Sequence, residues 1–137
     1  MSAVSRTFKL RLSPAGMDVL IAAHCRLIQT TRHLLPWGTT LHTAVAYLES
    51  VPPDDIVAGL DRVATARLCG AEVRFLGAPA TLNDVASRVV AGVVAASPHR
   101  PPPTLLQVYI VALEMLVCAE AQTLLQAYRR IADRSGR

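Results

Sequence analysis

The feature that most constrains the fold is a long apolar run near the end of the chain, residues 104–134, which follows three consecutive prolines. Proline lacks a backbone N–H and clashes with the preceding helical turn, so residues 101–103 cannot lie inside a helix. Thr104 and Gln107 then match a capping box, in which the side chain of each residue accepts a hydrogen bond from the backbone N–H of the other. Apolar residues recur every three or four positions, which predicts one long C-terminal helix.

The two halves of this predicted helix differ in polarity. The first half is apolar nearly all round and contains one acidic residue, Glu114. Such a helix lies at the centre of a bundle or in an oligomer interface. Because a buried carboxylate needs a partner, we expect an arginine from another helix or subunit beside Glu114. The alternative is a functional carboxylate with a raised pKa. The second half carries a polar face that ends in Arg129 and Arg130.

The same run bears on the partners of the protein. A membrane span needs roughly 20 nearly uninterrupted apolar residues, and four polar residues interrupt this run: Gln107, Glu114, Glu120 and Gln122. We therefore expect no membrane association. Hydrophobic residues make up 52% of the chain and charged residues 18%, a balance that favours burial between subunits. We expect a homo-oligomer, or a partner protein bound through the apolar helix 104–131.

The remainder of the chain predicts a mainly α fold in a single helical domain, residues 1–137. About five helices would pack around the long C-terminal helix, separated by proline and glycine at residues 36–38, 52–53 and 77–79. The first would run from Pro14 to about Leu35 with Leu34 on its inner side, and the third would begin with the acids Asp54 and Asp55, which suit a helix N-terminus. Alternating patterns predict short strands at residues 6–12 and 71–76. The two strands could pair with each other, or the first could pair with a symmetry mate.

The first predicted strand places Thr7, Lys9 and Arg11 on one face and apolar residues on the other. A basic strand followed by two helices resembles the ribbon-helix-helix family of DNA-binding dimers. In that family, strands from two chains pair and read bases in the major groove. The resemblance covers residues 6–51, although the first helix here is longer and the glycine-containing turn is displaced to residues 37–38. The alternative is an edge strand with a solvated polar face.

The basic charge of the chain favours nucleic acid as a binding partner. The formal net charge is +4, and every basic residue except Lys9 is arginine, whose planar fork suits phosphate recognition. A GC-rich genome would also explain the arginine bias. Aromatic residues make up 4% of the chain, and Trp37 and Tyr47 are the only candidates away from predicted helical cores. This scarcity disfavours binding through stacked bases.

We therefore predict a non-enzymatic protein that binds the nucleic-acid backbone, as a regulator or as a helical subunit of a nucleoprotein assembly. The candidate site residues are Lys9, Arg11, Arg129 and Arg130. The alternative is a helical adaptor or an oligomeric assembly subunit that contacts no nucleic acid. A cytoplasmic location is expected because the first residues lack an apolar signal segment; the nucleus or a virion interior is also open.

No catalytic or cofactor motif is visible. The chain has no glycine-rich phosphate loop and no nucleophile elbow, so we expect no enzyme activity, no cofactor and no metal. His24 falls on an apolar helix side and is interpreted as a hydrogen-bonded core histidine. Arg26 and His33 resemble the loose Arg-x(4–6)-His pattern of HEPN-type ribonucleases. The three cysteines lack CxxC spacing, which predicts small buried thiols in a reducing compartment.

Overall fold

The computed structural model describes the backbone of residues 5–135 and the side chains of residues 5–132. The elements are β1 (Ser5–Leu12), α1 (Pro14–Thr31), α2 (Trp37–Leu48), α3 (Pro53–Asp61), α4 (Val63–Ala66), β2 (Glu72–Pro79), α5 (Thr81–Ala96), α6 (Leu105–Cys118) and α7 (Ala121–Ser135). The mainly α class with two short strands is confirmed. The second strand, however, runs to Pro79 and includes residues 77–79, which were expected to form a break. Between residues 5 and 135 there are seven helices rather than about five.

The prediction of a single long C-terminal helix is wrong. The chain turns at Ala119 and continues as a second helix, α7. The capping box at Thr104 is present, with both of its hydrogen bonds, at 2.9 and 3.2 Å. At Ala119, however, the backbone becomes extended, with φ −68° and ψ 147°. Neither proline nor glycine marks this break. The Ala119 carbonyl instead accepts a hydrogen bond from the Arg26 guanidinium of α1, a tertiary contact that the local sequence does not reveal.

Two further helix boundaries differ from the predicted ones. The third predicted helix is divided at Arg62, whose backbone is extended with φ −70° and ψ 134°. The first helix stops at Thr31 because Arg32 adopts the left-handed region, with φ 62°. Leu34, expected on an inner helical face, is consequently 96% exposed in the connection. Trp37, expected to end a helix, begins α2.

The two strands pair with each other in an antiparallel arrangement that runs from Ser5 opposite Pro79 to Leu12 opposite Glu72. This pairing resolves the alternative left open by the sequence in favour of pairing within one chain. It also departs from the ribbon-helix-helix arrangement, in which the paired strands belong to two chains.

The centre of the core is α6. It packs against α1, α2, α3, α5 and β1, and its buried residues are Val108, Tyr109, Ile110, Val111, Ala112, Leu113 and Leu116. The expected enclosure of its first half is therefore supplied by the chain itself. The amphipathic α7 packs on α1 and α2 through Leu124, Ala127 and Ile131. Oligomerisation through this region remains a prediction, and most of the apolar surface that motivated it is buried within the chain itself.

The cysteines do not form the small buried thiols that were expected. Cys25 and Cys118 are exposed and Cys69 is partly buried; all three are free. Burial raises the pKa of the Cys69 thiol. Helical periodicity places a cysteine on a face, but the packing of neighbouring helices decides whether that face is covered.

Candidate nucleic-acid interface

The paired strands form a two-stranded ribbon with one buried and one exposed face. Along β1, Phe8, Leu10 and Leu12 are buried, whereas Lys9 and Arg11 are exposed. The alternation follows from strand geometry, in which successive side chains point to opposite faces. The predicted orientation of this strand is therefore confirmed.

The exposed side, which we call the outer ribbon face, consists of three directly opposed pairs: Thr7 and Gly77, Lys9 and Phe75, and Arg11 and Val73. Directly opposed residues in an antiparallel pair project from the same face, with Cβ atoms about 4.5–5.5 Å apart. Phe75 is 65% exposed. The outer ribbon face thus combines two cations with an aromatic ring.

Two contacts fix the ribbon on the helices. On the buried face, the ring of Phe8 meets that of Tyr109 edge to face, with 6.2 Å between ring centroids. At the other strand, Gly38 in the first turn of α2 lies so close to β2 that an added Cβ would be 1.6 Å from the Gly77 carbonyl oxygen. Only glycine permits this approach. The outer face is therefore held away from the core by the packing beneath it.

Most of the net charge of the chain lies on the ribbon. Its two strands carry four basic side chains and one acidic side chain. Arg74 is paired with that acid, Glu72, at 3.2 Å. The Arg6 guanidinium lies 5.6 Å from the centroid of the Phe8 ring. Within residues 5–132, no ion pair involves Lys9 or Arg11, so their charges are available to an anionic ligand.

The two arginines predicted on α7 are placed elsewhere. Arg130 donates a hydrogen bond to the carbonyl of Ala46, at 3.2 Å, and its Nε atom is buried with no partner among the described residues. Gly38 contacts the sheet at one end of α2, and Ala46 lies eight residues further on, about 12 Å along the helix at 1.5 Å per residue. Arg129 is exposed on α7. The structure therefore brings Lys9 and Arg11 together and separates Arg130 from them.

Arg130 has a structural role that explains its burial. Ala46 is in the last turn of α2, and its carbonyl accepts a hydrogen bond from the backbone N–H of Glu49, at 3.1 Å, as well as the one from Arg130. A cation in this position also interacts favourably with the helix dipole. Arg130 therefore links α7 to the end of α2.

His24 is hydrogen-bonded, as expected, although it is only partly buried. Its Nδ1 atom lies 2.7 Å from the hydroxyl of Thr40, and its ring stacks on Trp37 with centroids 3.9 Å apart. Burial lowers the pKa of His24 below its ordinary value of 6.5. Within the described residues, no group of three or more histidine, cysteine or acidic side chains is arranged to hold a metal ion.

Arg26 and His33, the pair that resembles the ribonuclease pattern, have separate partners. Arg26 bonds to the Ala119 carbonyl at the break between α6 and α7. The Nδ1 atom of His33 lies 3.1 Å from the hydroxyl of Tyr128 on α7. Both side chains therefore contribute to holding α7 against α1.

Glu114 has the arginine partner that the sequence predicted. Its Oε1 atom accepts hydrogen bonds from Arg62, at 2.9 Å, and from the Thr65 hydroxyl, at 2.7 Å. Thr65 is buried. A cleft of about 420 Å³ that also includes Tyr47 opens beside this group. These contacts give the carboxylate a structural explanation.

Phe75 is the candidate site residue that the sequence did not identify. The alternation in β2 places Val73 and Phe75 on one side and Arg74 and Leu76 on the other. Each side thus contains an apolar residue, and the pattern alone does not indicate which faces the core. The pairing of Phe75 with the outward Lys9 resolves the ambiguity.

Comparison of the chain with protein-family models, with curated proteins and with solved structures found no match. Among the helices of residues 5–135, none combines the length and the apolarity that crossing a membrane requires.

Proposed function

We propose that this protein binds the phosphate backbone of nucleic acid through the outer ribbon face, without catalysing a reaction. The observation that carries the proposal is the exposed face of β1. Lys9 and Arg11 lie two residues apart on this face, with no ion-pair partner among the described residues. A strand rise of about 3.3 Å per residue separates their backbones by about 7 Å, so both can contact one nucleic-acid strand.

Counterion release is the expected source of the binding free energy. Each phosphate that a cation neutralises frees a condensed counterion, which makes the affinity fall steeply as salt increases. Four other arginines are already paired with acids: Arg62, Arg74, Arg88 and Arg100. These must break or share an ion pair before they bind a phosphate. Lys9 and Arg11 have no such ion pair within the described residues, so they can bind a phosphate without this cost.

The proposal retains Lys9 and Arg11 from the sequence-based site and gives no role in ligand contact to Arg130. Arg130 is committed to the end of α2. Arg129 remains a candidate contributor from α7, since its side chain is exposed.

The test is fluorescence anisotropy with labelled oligonucleotides at about 50 and 200 mM salt. We expect binding that weakens with salt and is reduced in Lys9→Ala/Arg11→Ala. The slope of log affinity against log salt should fall by about 1 for each removed phosphate contact. Both residues are exposed, so the free energy of unfolding should change by less than about 0.5 kcal/mol.

A matched control removes two positive charges outside the ribbon, in Arg88→Ala/Arg100→Ala, because both arginines are paired with acids and neither is a candidate contact. Arg88 lies on α5, paired with Glu49 at 3.0 Å. This control has the same net charge as the ribbon variant and should keep more of the affinity. An equal loss in both variants would assign binding to net charge rather than to the ribbon. Absence of binding at about 50 mM salt would overturn the proposal.

A second function, protein–protein interaction, is supported by a different surface. Leu34 is 96% exposed, and Trp37, three residues on, is 42% exposed. Exposed apolar groups of this size occur at interaction sites. Light scattering of Leu34→Ser beside the unaltered protein tests self-association through this segment: a shift from a larger species to a monomer would support it.

A further inference from the structure

We infer that the outer ribbon face binds single-stranded rather than duplex nucleic acid, with one base stacked on Phe75. This inference rests on the proposed function and specifies its ligand. The observation behind it is the opposition of Phe75 and Lys9 in the strand register, which places a cation beside an exposed aromatic ring.

The ring of Phe75 is not part of the core. Its neighbour Leu76 points inward and is 8% exposed, whereas Phe75 is 65% exposed. On the buried side of the ribbon, Phe8 packs on Tyr109 rather than on Phe75. The folded chain therefore leaves a face of Phe75 uncovered.

The surface around Phe75 is also open. Gly77 is two residues further along the same face and bears no side chain. An added Cβ at Gly77 would have no atom within 4 Å. Thr7, directly opposite Gly77, is small and exposed. A planar base can therefore approach the ring from this side without displacing protein atoms.

Duplex and single-stranded ligands make different demands on such a surface. In a duplex, the flat faces of the bases are stacked on one another, and a ribbon in the major groove reads base edges with polar side chains. On the β2 half of this face, Phe75, Val73 and Gly77 have no hydrogen-bonding side-chain atoms for that purpose, so polar side chains are confined to β1. In a single strand, base faces are available, and aromatic side chains in basic grooves bind them with little sequence preference.

Lys9 and Arg11 complete the arrangement. Lys9 is directly opposite Phe75, and Arg11 is its diagonal neighbour, about 7–8 Å away in such a pair. A base on the ring thus has its own backbone within reach of both cations. With one aromatic ring on this face, the expected footprint is a few nucleotides, and recognition is tolerant of sequence.

The test measures the affinity for three labelled probes of equal length: a thymidine oligonucleotide, a uridine oligonucleotide and a DNA duplex. We expect at least one single strand to bind about tenfold more tightly than the duplex. Comparison of the first two probes distinguishes DNA from RNA as the source of the single strand.

Variants at position 75 separate stacking from charge. Phe75→Leu keeps an apolar side chain and removes the aromatic face, so the affinity for a single strand should fall roughly fivefold to a hundredfold. The salt dependence should be unchanged, because no phosphate contact is lost. Phe75→Tyr should retain the affinity. Circular dichroism melting of each variant verifies that the fold is intact.

The outcomes distinguish the inference from the proposed function. If the duplex binds as well as the single strands, or Phe75→Leu binds like the unaltered protein, this inference is wrong. The proposed function then stands, provided that binding depends on salt and on Lys9 and Arg11. If no probe binds at about 50 mM salt, both fail.

Discussion

The outer ribbon face and the centre of α6 both place charge within an apolar pattern, yet the folded chain treats the two regions differently. Glu114 on α6 is met by Arg62 and Thr65 from the α3–α4 segment. Lys9 and Arg11 on the ribbon have no ion-pair partner in the described part of the chain. The difference shows that a charged residue in an apolar segment is structural when the fold supplies its partner. Otherwise it is available to a ligand.

The largest expected effect is a loss of stability when the centre of α6 is truncated. Leu113 is 1% exposed, and Leu113→Ala removes buried methyl groups and leaves a cavity, at a cost of about 2–5 kcal/mol. Urea unfolding followed by circular dichroism measures the change. Leu34→Ala is the matched control, because Leu34 is 96% exposed and its truncation should cost less than about 0.5 kcal/mol. Similar values for the two variants would contradict the placement of α6 in the core.

A smaller loss is expected at Glu114. In Glu114→Ala the buried Thr65 hydroxyl loses its acceptor, and an unsatisfied buried group costs about 1–3 kcal/mol. Most of this cost should come from Thr65, since Arg62 is 54% exposed and exposed ion pairs contribute little. Glu114→Gln keeps an acceptor oxygen and should lose less stability in the same urea experiment. If both variants were as stable as the unaltered protein, the carboxylate would not be structural and its cleft would become the stronger candidate site.

The smallest effect concerns pH and involves the partly buried His24 of α1. Because burial lowers the pKa of His24 in the folded state, the unfolded state binds the proton more readily. Stability from this group is therefore complete above the ordinary pKa of 6.5. It declines as pH falls through that value towards the folded pKa.

The measurement is the melting temperature at pH 7.5, 6.0 and 5.0 for the protein and for His24→Gln. The unaltered protein should lose more stability than the variant over this interval. Trp37 is the only tryptophan and stacks on His24, so its fluorescence also follows the titration of the imidazole directly. A midpoint at or above 6.5 would contradict the lowered pKa.

Sequence patterns were informative wherever one local property determined the outcome. The capping box at Thr104 follows from two side chains three residues apart, and both hydrogen bonds form. The alternation of residues 6–12 gave the inner and outer faces of β1 correctly, because a period of two leaves no other arrangement once one face is apolar. The acidic start of α3, at Asp54 and Asp55, is likewise present.

The candidate site was predictable only in part, because some of its residues depend on contacts between distant segments of the chain. Lys9 and Arg11 were identified because their strand has one apolar face. Phe75 was missed because its strand has apolar residues on both sides, and only the register with β1 distinguishes them. Arg130 was included because it is basic and near a helix end. Its guanidinium binds the carbonyl of Ala46, 84 residues away. The sequence around Arg130 does not indicate this contact.

By itself, the sequence determined the mainly α class, the start of α6, the two strands and the direction in which β1 faces. These depend on interactions between residues a few positions apart. Tertiary structure decided the break at Ala119, the pairing of the strands within one chain, and the division of the basic residues into engaged and available ones. Each of these depends on partners distant in sequence: Arg26 for the break, β2 for the pairing and Ala46 for Arg130. Long-range contacts of this kind leave no periodic signal, so only the folded chain reveals them.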